Sequence, residues 1–236
     1  MTSNSADEQV WQDAYAARQS YFERTVGPLP GDIQRMLSMT GVWPGGGLFV
    51  IPAAKLGQHM SVYTTFGLTN PDMPTSVRMS EFQLESSSHA RQARGKLQKR
   101  EPAHAPPGAA GYGYEIFVVA QQEQKWPLMF LQWAVTAEIE HDVGFLARIE
   151  KHDGLTVEEI DVGYELRINV LIAKVRPPLP IGTRLPNGAM ELLVATTITQ
   201  EEMRWSMTGG RGVLLQRLQD AGVGQISIPG RPSVVQ

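Results

Sequence analysis

Between Gly111 and Trp133 the chain sets two glycines among aromatic residues, follows them with an unbroken apolar run, and then opens a second apolar period with a proline. The stretch reads Gly111-Tyr112-Gly113-Tyr114-Glu115, Ile116-Phe117-Val118-Val119, a short polar turn, and Trp126-Pro127-Leu128-Met129-Phe130-Leu131-Gln132-Trp133. The apolar run is rich in β-branched and aromatic residues and is flanked by turn formers, which predicts a strand. Gly111 and Gly113 admit backbone angles that side-chained residues resist. Pro127 suits the first turn of a helix, where its missing N–H costs nothing. Leu128, Leu131 and Val135 recur at three and four residues with Ala134 and Ile139 beside them, giving that helix an apolar face. Glu138, Glu140 and Asp142 crowd its end with negative charge, unfavourable at a helix C-terminus, so the helix is expected to stop near Glu138 or to meet a basic partner. The whole stretch carries no reactive group, which points to binding rather than catalysis.

Composition narrows the classes. The 236 residues contain no cysteine, which excludes disulfides, thiolate metal sites and cysteine nucleophiles. A chain of this length buries roughly 70% of its unfolded surface, enough for a core without staples. The net charge of −3 leaves no global footprint for nucleic acid. No run of about 20 apolar residues predicts a membrane span, and Met1–Gln9 is polar and acidic, unlike a secretory signal. The expected location is cytoplasmic.

Along the chain, a polar tail over 1–7 precedes an amphipathic helix from Asp7 to Thr25, with Val10, Trp11, Ala14, Tyr15, Ala17, Tyr21 and Phe22 on one side. A second short helix is expected over Asp32–Met39, and a turn over Trp43–Gly47. Strands are expected at Leu48–Ile51, Val62–Phe66, Val77–Leu84, Tyr164–Val175, Met190–Thr197 and Ile226–Ile228. Thr199-Gln200-Glu201-Glu202 has the form of a capping box, and a further helix, Val213–Leu218, ends towards Gly222. Strands and helices interleave without a βαβ repeat. The expected class is therefore α+β, a mixed and mainly antiparallel sheet with flanking helices in a single domain over 1–236. Residues 86–108 have the composition of a flexible basic insertion: three serines, then Arg91, Arg94, Lys96, Lys99 and Arg100, then three prolines. This cluster is the candidate anion-binding loop, set against the simpler reading of a solvated surface loop.

Several motifs fall away on inspection. Gly108–Gly113 reads G-x-x-G-x-G, but a strand follows where a dinucleotide site needs a helix N-terminus. Thr208-Gly209-Gly210-Arg211-Gly212 precedes a helix, which suits an anion, yet no lysine with serine or threonine follows, and a join between two helices explains it better. Glu138, Glu140, His141, Asp142, His152 and Asp153 are the densest set of potential ligands. The two histidines are eleven apart, do not share a helical face, and form no H-E-x-x-H, so polar residues around a loop are the better reading. No G-x-S-x-G elbow occurs. Glu158-Glu159 and Glu201-Glu202 suit solvent faces and capping. Trp43, Tyr63, Phe66, Trp126, Trp133 and Trp205 are expected in the core, with one or two as interface anchors. No catalytic residue, metal site or cofactor is expected.

The ordered set Val62-Tyr63-Thr64-Thr65-Phe66-Gly67-Leu68-Thr69-Asn70, then Gly111–Glu115, then Trp126-Pro127 with Leu131-Gln132, resembles the Suppressor of Fused domain. Met190–Val194, Thr199–Met203, Gly212–Leu215 and Gly230-Arg231 resemble that family's closing strand, two helices and terminal arginine segment, so the likeness runs over residues 8 to 235. It implies a non-enzymatic α/β binding domain. Animal Suppressor of Fused closes two domains over an extended peptide of Gli transcription factors, which adds as a strand; this chain is similar only to the N-terminal domain. Stand-alone bacterial members of the family are thought to act as immunity proteins against a cognate toxin. The family's peptide-facing strand falls on the segment with Tyr63 and its following loop, so the resemblance makes Tyr63 and Asp72 candidate partner contacts. The leading expectation is an immunity-like protein that neutralises a toxin or sequesters another protein. The alternative is a nucleic-acid or anion-binding accessory protein that uses Arg91, Arg94, Lys96, Lys99 and Arg100.

Overall fold

A computed structural model describes residues 3–31, 46–74, 76–87, 90–100, 104, 106–121 and 123–235. The short helix expected over Asp32–Met39 and most of the turn expected at Trp43–Gly47 lie outside these residues. The chain begins with α1 (Ser3–Thr25), then β1 (Gly47–Pro52), β2 (Met60–Phe66), β3 (Ser76–Ser87), β4 (Ala90–Arg100) and β5 (Ala109–Gln121). Next come α2 (Trp126–His141), α3 (Phe145–His152), β6 (Leu155–Asp161), β7 (Arg167–Lys174), β8 (Thr183–Leu185) and β9 (Gly188–Ile198). The helices α4 (Gln200–Gly209) and α5 (Arg211–Asp220) and the short β10 (Ile226–Ser227) close the described chain.

One mixed sheet runs β1-β2-β5-β9-β7-β6, with β10 beside β5 and β8 beside β9. The β5–β9 and β5–β10 pairs are parallel and the others antiparallel. The architecture is α+β, as the interleaved pattern predicts.

The central strand is β5, the apolar run of the sequence. It is buried on both faces, which its unalternating character requires. Tyr112, Tyr114, Ile116 and Val118 face one core with α2 and α3, through Phe130, Leu131, Phe145 and Ile149. Phe117 and Val119 face the opposite core with Tyr21, Phe22 and Val26. Each large side chain so buried contributes about 1.5–3 kcal/mol. A third cluster joins Leu171 and Ala173 of β7 to Leu214, Leu215 and Leu218 of α5 and to Val235.

The two glycines sit in an irregularity of this strand. Between Ala109 and Tyr114 the chain advances five residues while its partner β9 advances two, from Ala189 to Glu191. Gly111 has φ +56°, and a Cβ there would lie 2.3 Å from the Leu68 carbonyl oxygen. That spacing explains why a glycine is needed.

Four expectations are corrected. The helix α1 starts at Ser3 and takes in most of the expected tail over 1–7. Most of the expected flexible insertion over 86–108 is β-structure. Ala90–Arg100 pairs with Ser76–Ser87 in a hairpin that forms its own two-stranded sheet, and β5 begins at Ala109. The basic residues hid a strand because a run of arginines and lysines reads as a solvated loop in sequence yet is compatible with an extended ribbon. The helix α2 runs past Glu138 to His141, where Asp142 takes a left-handed conformation and ends it. The loop expected after it contains α3, held to the sheet by Phe145, Leu146 and Ile149.

Candidate protein-binding surface

The loop between β2 and β3 carries Asp72, and a buried polar network fixes its position. Glu115 is a carboxylate in the middle of an apolar strand, 0% exposed. It accepts hydrogen bonds from the Gly67 N–H (2.9 Å), the Thr69 N–H (3.1 Å), the Thr69 hydroxyl (2.7 Å) and the Thr65 hydroxyl (2.7 Å). Arg18 of α1, also 0% exposed, donates to Asn70 Oδ1 (2.7 Å) and Thr69 Oγ1 (2.8 Å), and lies 3.4 Å from Glu115. Its guanidinium stacks 4.1 Å from the centre of the Phe66 ring, a favourable cation–π contact. Burial lowers the Arg18 pKa from its ordinary value, and the charge of Glu115, with smaller help from Tyr15 and Asp72, opposes that. From the other side the Asn187 amide donates to the Thr69 carbonyl (2.9 Å), and the Tyr112 N–H to the Leu68 carbonyl (2.9 Å).

Thr65, Gly67, Thr69, Asn70 and Glu115 are therefore the motif residues that carry the family resemblance, and their polar groups are spent on structure. Removing Glu115 would leave buried N–H groups without acceptors, each costing about 1–3 kcal/mol. The signals were in the sequence: a lone glutamate inside an apolar strand, and Arg18 four residues after Ala14 and three before Tyr21, on the apolar face of α1.

The two candidate contacts part company here. Asp72 is exposed on this fixed loop. Tyr63 is 0% exposed and belongs to the core. Its hydroxyl accepts the Gln124 N–H, and burial pushes its pKa up. The strand that holds it pairs with β1 on one side and β5 on the other, so neither its ring nor its edge is open to a partner strand. The resemblance that made Tyr63 a candidate contact does not distinguish a core aromatic from an interface one. Arg91, Arg94, Lys96, Lys99 and Arg100 all fall in β4, opposite Ser86, Gln83, Glu81, Val77 and Ser76 of β3.

The remaining buried charges also hold elements together. Glu138 Oε2 accepts the N–H groups of Gly144 (3.1 Å) and Phe145 (3.2 Å) at the start of α3. Burial raises its pKa, against the pull of those N–H groups. Beside it, burial first and the Glu138 charge second keep the Tyr114 hydroxyl well above its ordinary pKa. Glu202 forms the capping box with Thr199 and meets Arg231 at 2.6 Å, and also accepts the Val234 N–H at 2.8 Å. Gly210 ends α4 and starts α5, so the glycine-rich segment at 208–212 joins two helices. Among the described residues, no group of three or more histidine, aspartate or glutamate side chains could hold a metal ion, and no helix is long and apolar enough to cross a membrane.

These features define an α+β domain with a structurally committed polar interior and a β2–β3 loop held in place by it. Its fold is that of Suppressor of Fused. A Suppressor of Fused homologue from Neisseria gonorrhoeae superposes on 97% of this chain and 98% of its own length, at 15% identity and a TM-score of 0.59. A chain from the crystal structure of the Sufu–Fu complex superposes on 94% of this chain and 92% of its own, at 15% identity and a TM-score of 0.58. No family profile matches the sequence, and no curated protein matches it.

Proposed function

We propose that this chain is a non-catalytic protein-binding domain that inhibits a partner by occlusion, as an immunity protein does inside the cell that makes the toxin. The observation that carries this reading is its nearly end-to-end superposition on a chain from a complex of Sufu with Fu. The interior chemistry agrees with it. Glu115, Glu138 and Glu202, the buried carboxylates among the described residues, each serve several donors within the fold, leaving them poorly placed to act on a substrate. The exposed Asp72, on a loop held from α1, β5 and the β8–β9 turn, is the proposed contact, because a preorganised loop loses little entropy on binding. Co-expression with the products of neighbouring genes tests the reading. Stoichiometric capture of one product, with protection from its toxicity, is expected; neither binding nor protection across the set would overturn the immunity role.

A second reading rests on a different observation: five basic residues lie along one strand, β4, of a hairpin separate from the main sheet. A basic ribbon of this kind suits a polyanion. It predicts binding to nucleic acid that falls steeply with salt and is lost when Arg94, Lys96, Lys99 and Arg100 are replaced by glutamine. Binding that survives that replacement would remove it.

A further inference from the structure

On the side of the sheet away from α2, a cavity of about 230 Å³ opens between the start of β2, the segment after β7 and the end of α5. Leu56, Met60, Val119, Leu179 and Ile226 give it apolar walls, and among the described residues Lys55 and Arg176 are its only charged lining residues. The volume lies below the roughly 300–1,000 Å³ of pockets that take whole drug-sized ligands; it suits one large side chain and a small head group.

Several polar groups around the cavity are already engaged. Gln225 accepts the Arg176 N–H (2.7 Å) and donates to the Lys174 carbonyl (3.1 Å). The N–H groups of Val223 and Gly224 both go to the Leu218 carbonyl. The two cations differ from these groups. Lys55 spends two donors on the Glu23 and Arg24 carbonyls at the end of α1 (2.7 and 2.6 Å), of the three that an ammonium has. The Arg176 guanidinium makes only a long contact, 3.4 Å, to Gln216. Neither joins an ion pair among the described residues, whereas the adjacent Lys174 is held by both Glu150 and Glu191. An apolar cavity whose described lining holds two cations and no carboxylate is complementary to an apolar group that carries an anion.

We infer that this cavity receives the C-terminal residue of a partner polypeptide, its apolar side chain against Leu56, Met60 and Val119 and its free carboxylate on Arg176 and Lys55. A chain terminus places both chemistries on one carbon, which matches a cavity of one residue's size, and the inference rests on the reading of the molecule as a protein-binding domain. Calorimetric titration of the full chain with an N-acetylated hexapeptide ending in leucine tests it. The free-acid peptide binds saturably, and its C-terminal amide binds at least about tenfold more weakly, a difference of 1.4 kcal/mol. Arg176→Gln lowers affinity by a similar factor without moving the unfolding midpoint, and Arg176→Lys restores most of it. Lys55→Gln is a second variant, checked for folding because Lys55 also closes α1. Equal binding of acid and amide, or no saturable binding at millimolar peptide, overturns the inference. N-acetyl-leucine binding as tightly as the hexapeptide overturns it too, reassigning the cavity to a small free acid. The titration uses no native partner, so its failure is distinct from failure of partner capture.

Discussion

Glu115 and Arg18 look like a buried ion pair, but their separation of 3.4 Å is longer than the bonds Arg18 makes to Asn70 and Thr69 and than those Glu115 accepts from Thr65, Gly67 and Thr69. Glu115 is chiefly the acceptor for the loop backbone, and Arg18 chiefly the clamp on Asn70 and Thr69. The two deletions should therefore be unequal. Arg18→Met leaves the carboxylate with its other donors and costs about 3 kcal/mol, the low end for breaking a buried pair. Glu115→Leu strands a buried cation together with the Gly67 and Thr69 N–H groups, and costs about 5 kcal/mol or more. Combining them does not restore stability, because the N–H groups stay orphaned; urea unfolding of the three variants checks this ordering. At Gly111 any side chain meets the Leu68 carbonyl in a left-handed backbone conformation. Gly111→Ala should destabilise by more than the ~1 kcal/mol of an ordinary glycine replacement, measured by the shift in thermal midpoint. Arg18, Glu115 and Gly111 all contact the 67–70 segment that leads into the loop presenting Asp72.

Among the elements, two carboxylates act as joints with opposite pH behaviour. Burial pushes the Glu202 pKa up, but Arg231 and the N–H groups of Val234 and Thr199 outweigh it and leave it below the usual carboxylate range. A depressed carboxyl contributes stability that is present above its unfolded pKa and lost as pH falls through its folded one. Glu138 is raised, chiefly by burial; its contribution is greatest below its unfolded pKa and declines as pH rises through its folded one. Glu202→Gln should therefore cost about 3–5 kcal/mol at neutral pH and remove part of the acid-side loss, while Glu138→Gln should flatten the decline on the other side. Denaturant midpoints followed across the carboxylate titration range check both signs. The Glu202 joint was half legible: the threonine and glutamate spacing announced the capping box, but Arg231 is 29 residues away and no local pattern pairs them. The apolar run at Ile116–Val119 and the alternation of β7 were legible because a buried strand needs little but β-branched residues. The helix α3 was not, although Phe145, Leu146 and Ile149 share one face, because eight residues are little more than two turns and the polar residues around them read as a loop. The strand β4 was not either, because its arginines and lysines read as a solvated loop.

For the whole molecule, the fold was legible through motif residues that turned out to be structural, and the contact surface was not. The glycine–tyrosine segment identifies the central strand, and the Thr65–Asn70 segment identifies the network that pins α1 to the sheet. Neither tells which face meets a partner, because residues that hold a loop leave stronger patterns than residues that merely stand on it. Asp72, the proposed contact, illustrates the difference: an exposed charge at the rim of an interface sets association rate and salt dependence more than dissociation. Asp72→Asn should slow partner association several-fold at low salt, leave dissociation nearly unchanged, and leave the unfolding midpoint within about 0.5 kcal/mol of the parent; surface plasmon resonance separates the two rates. The central claim, that this domain works by binding a protein, is tested most directly by purifying the chain after co-expression with each neighbouring gene product and measuring the stoichiometry and inhibition of whatever co-purifies. A stable one-to-one complex in which the partner's activity is blocked is expected, with weaker capture by Asp72→Asn. A partner that stays fully active in the complex, or capture that Asp72→Asn leaves untouched in rate and amount, would contradict occlusion through the β2–β3 loop.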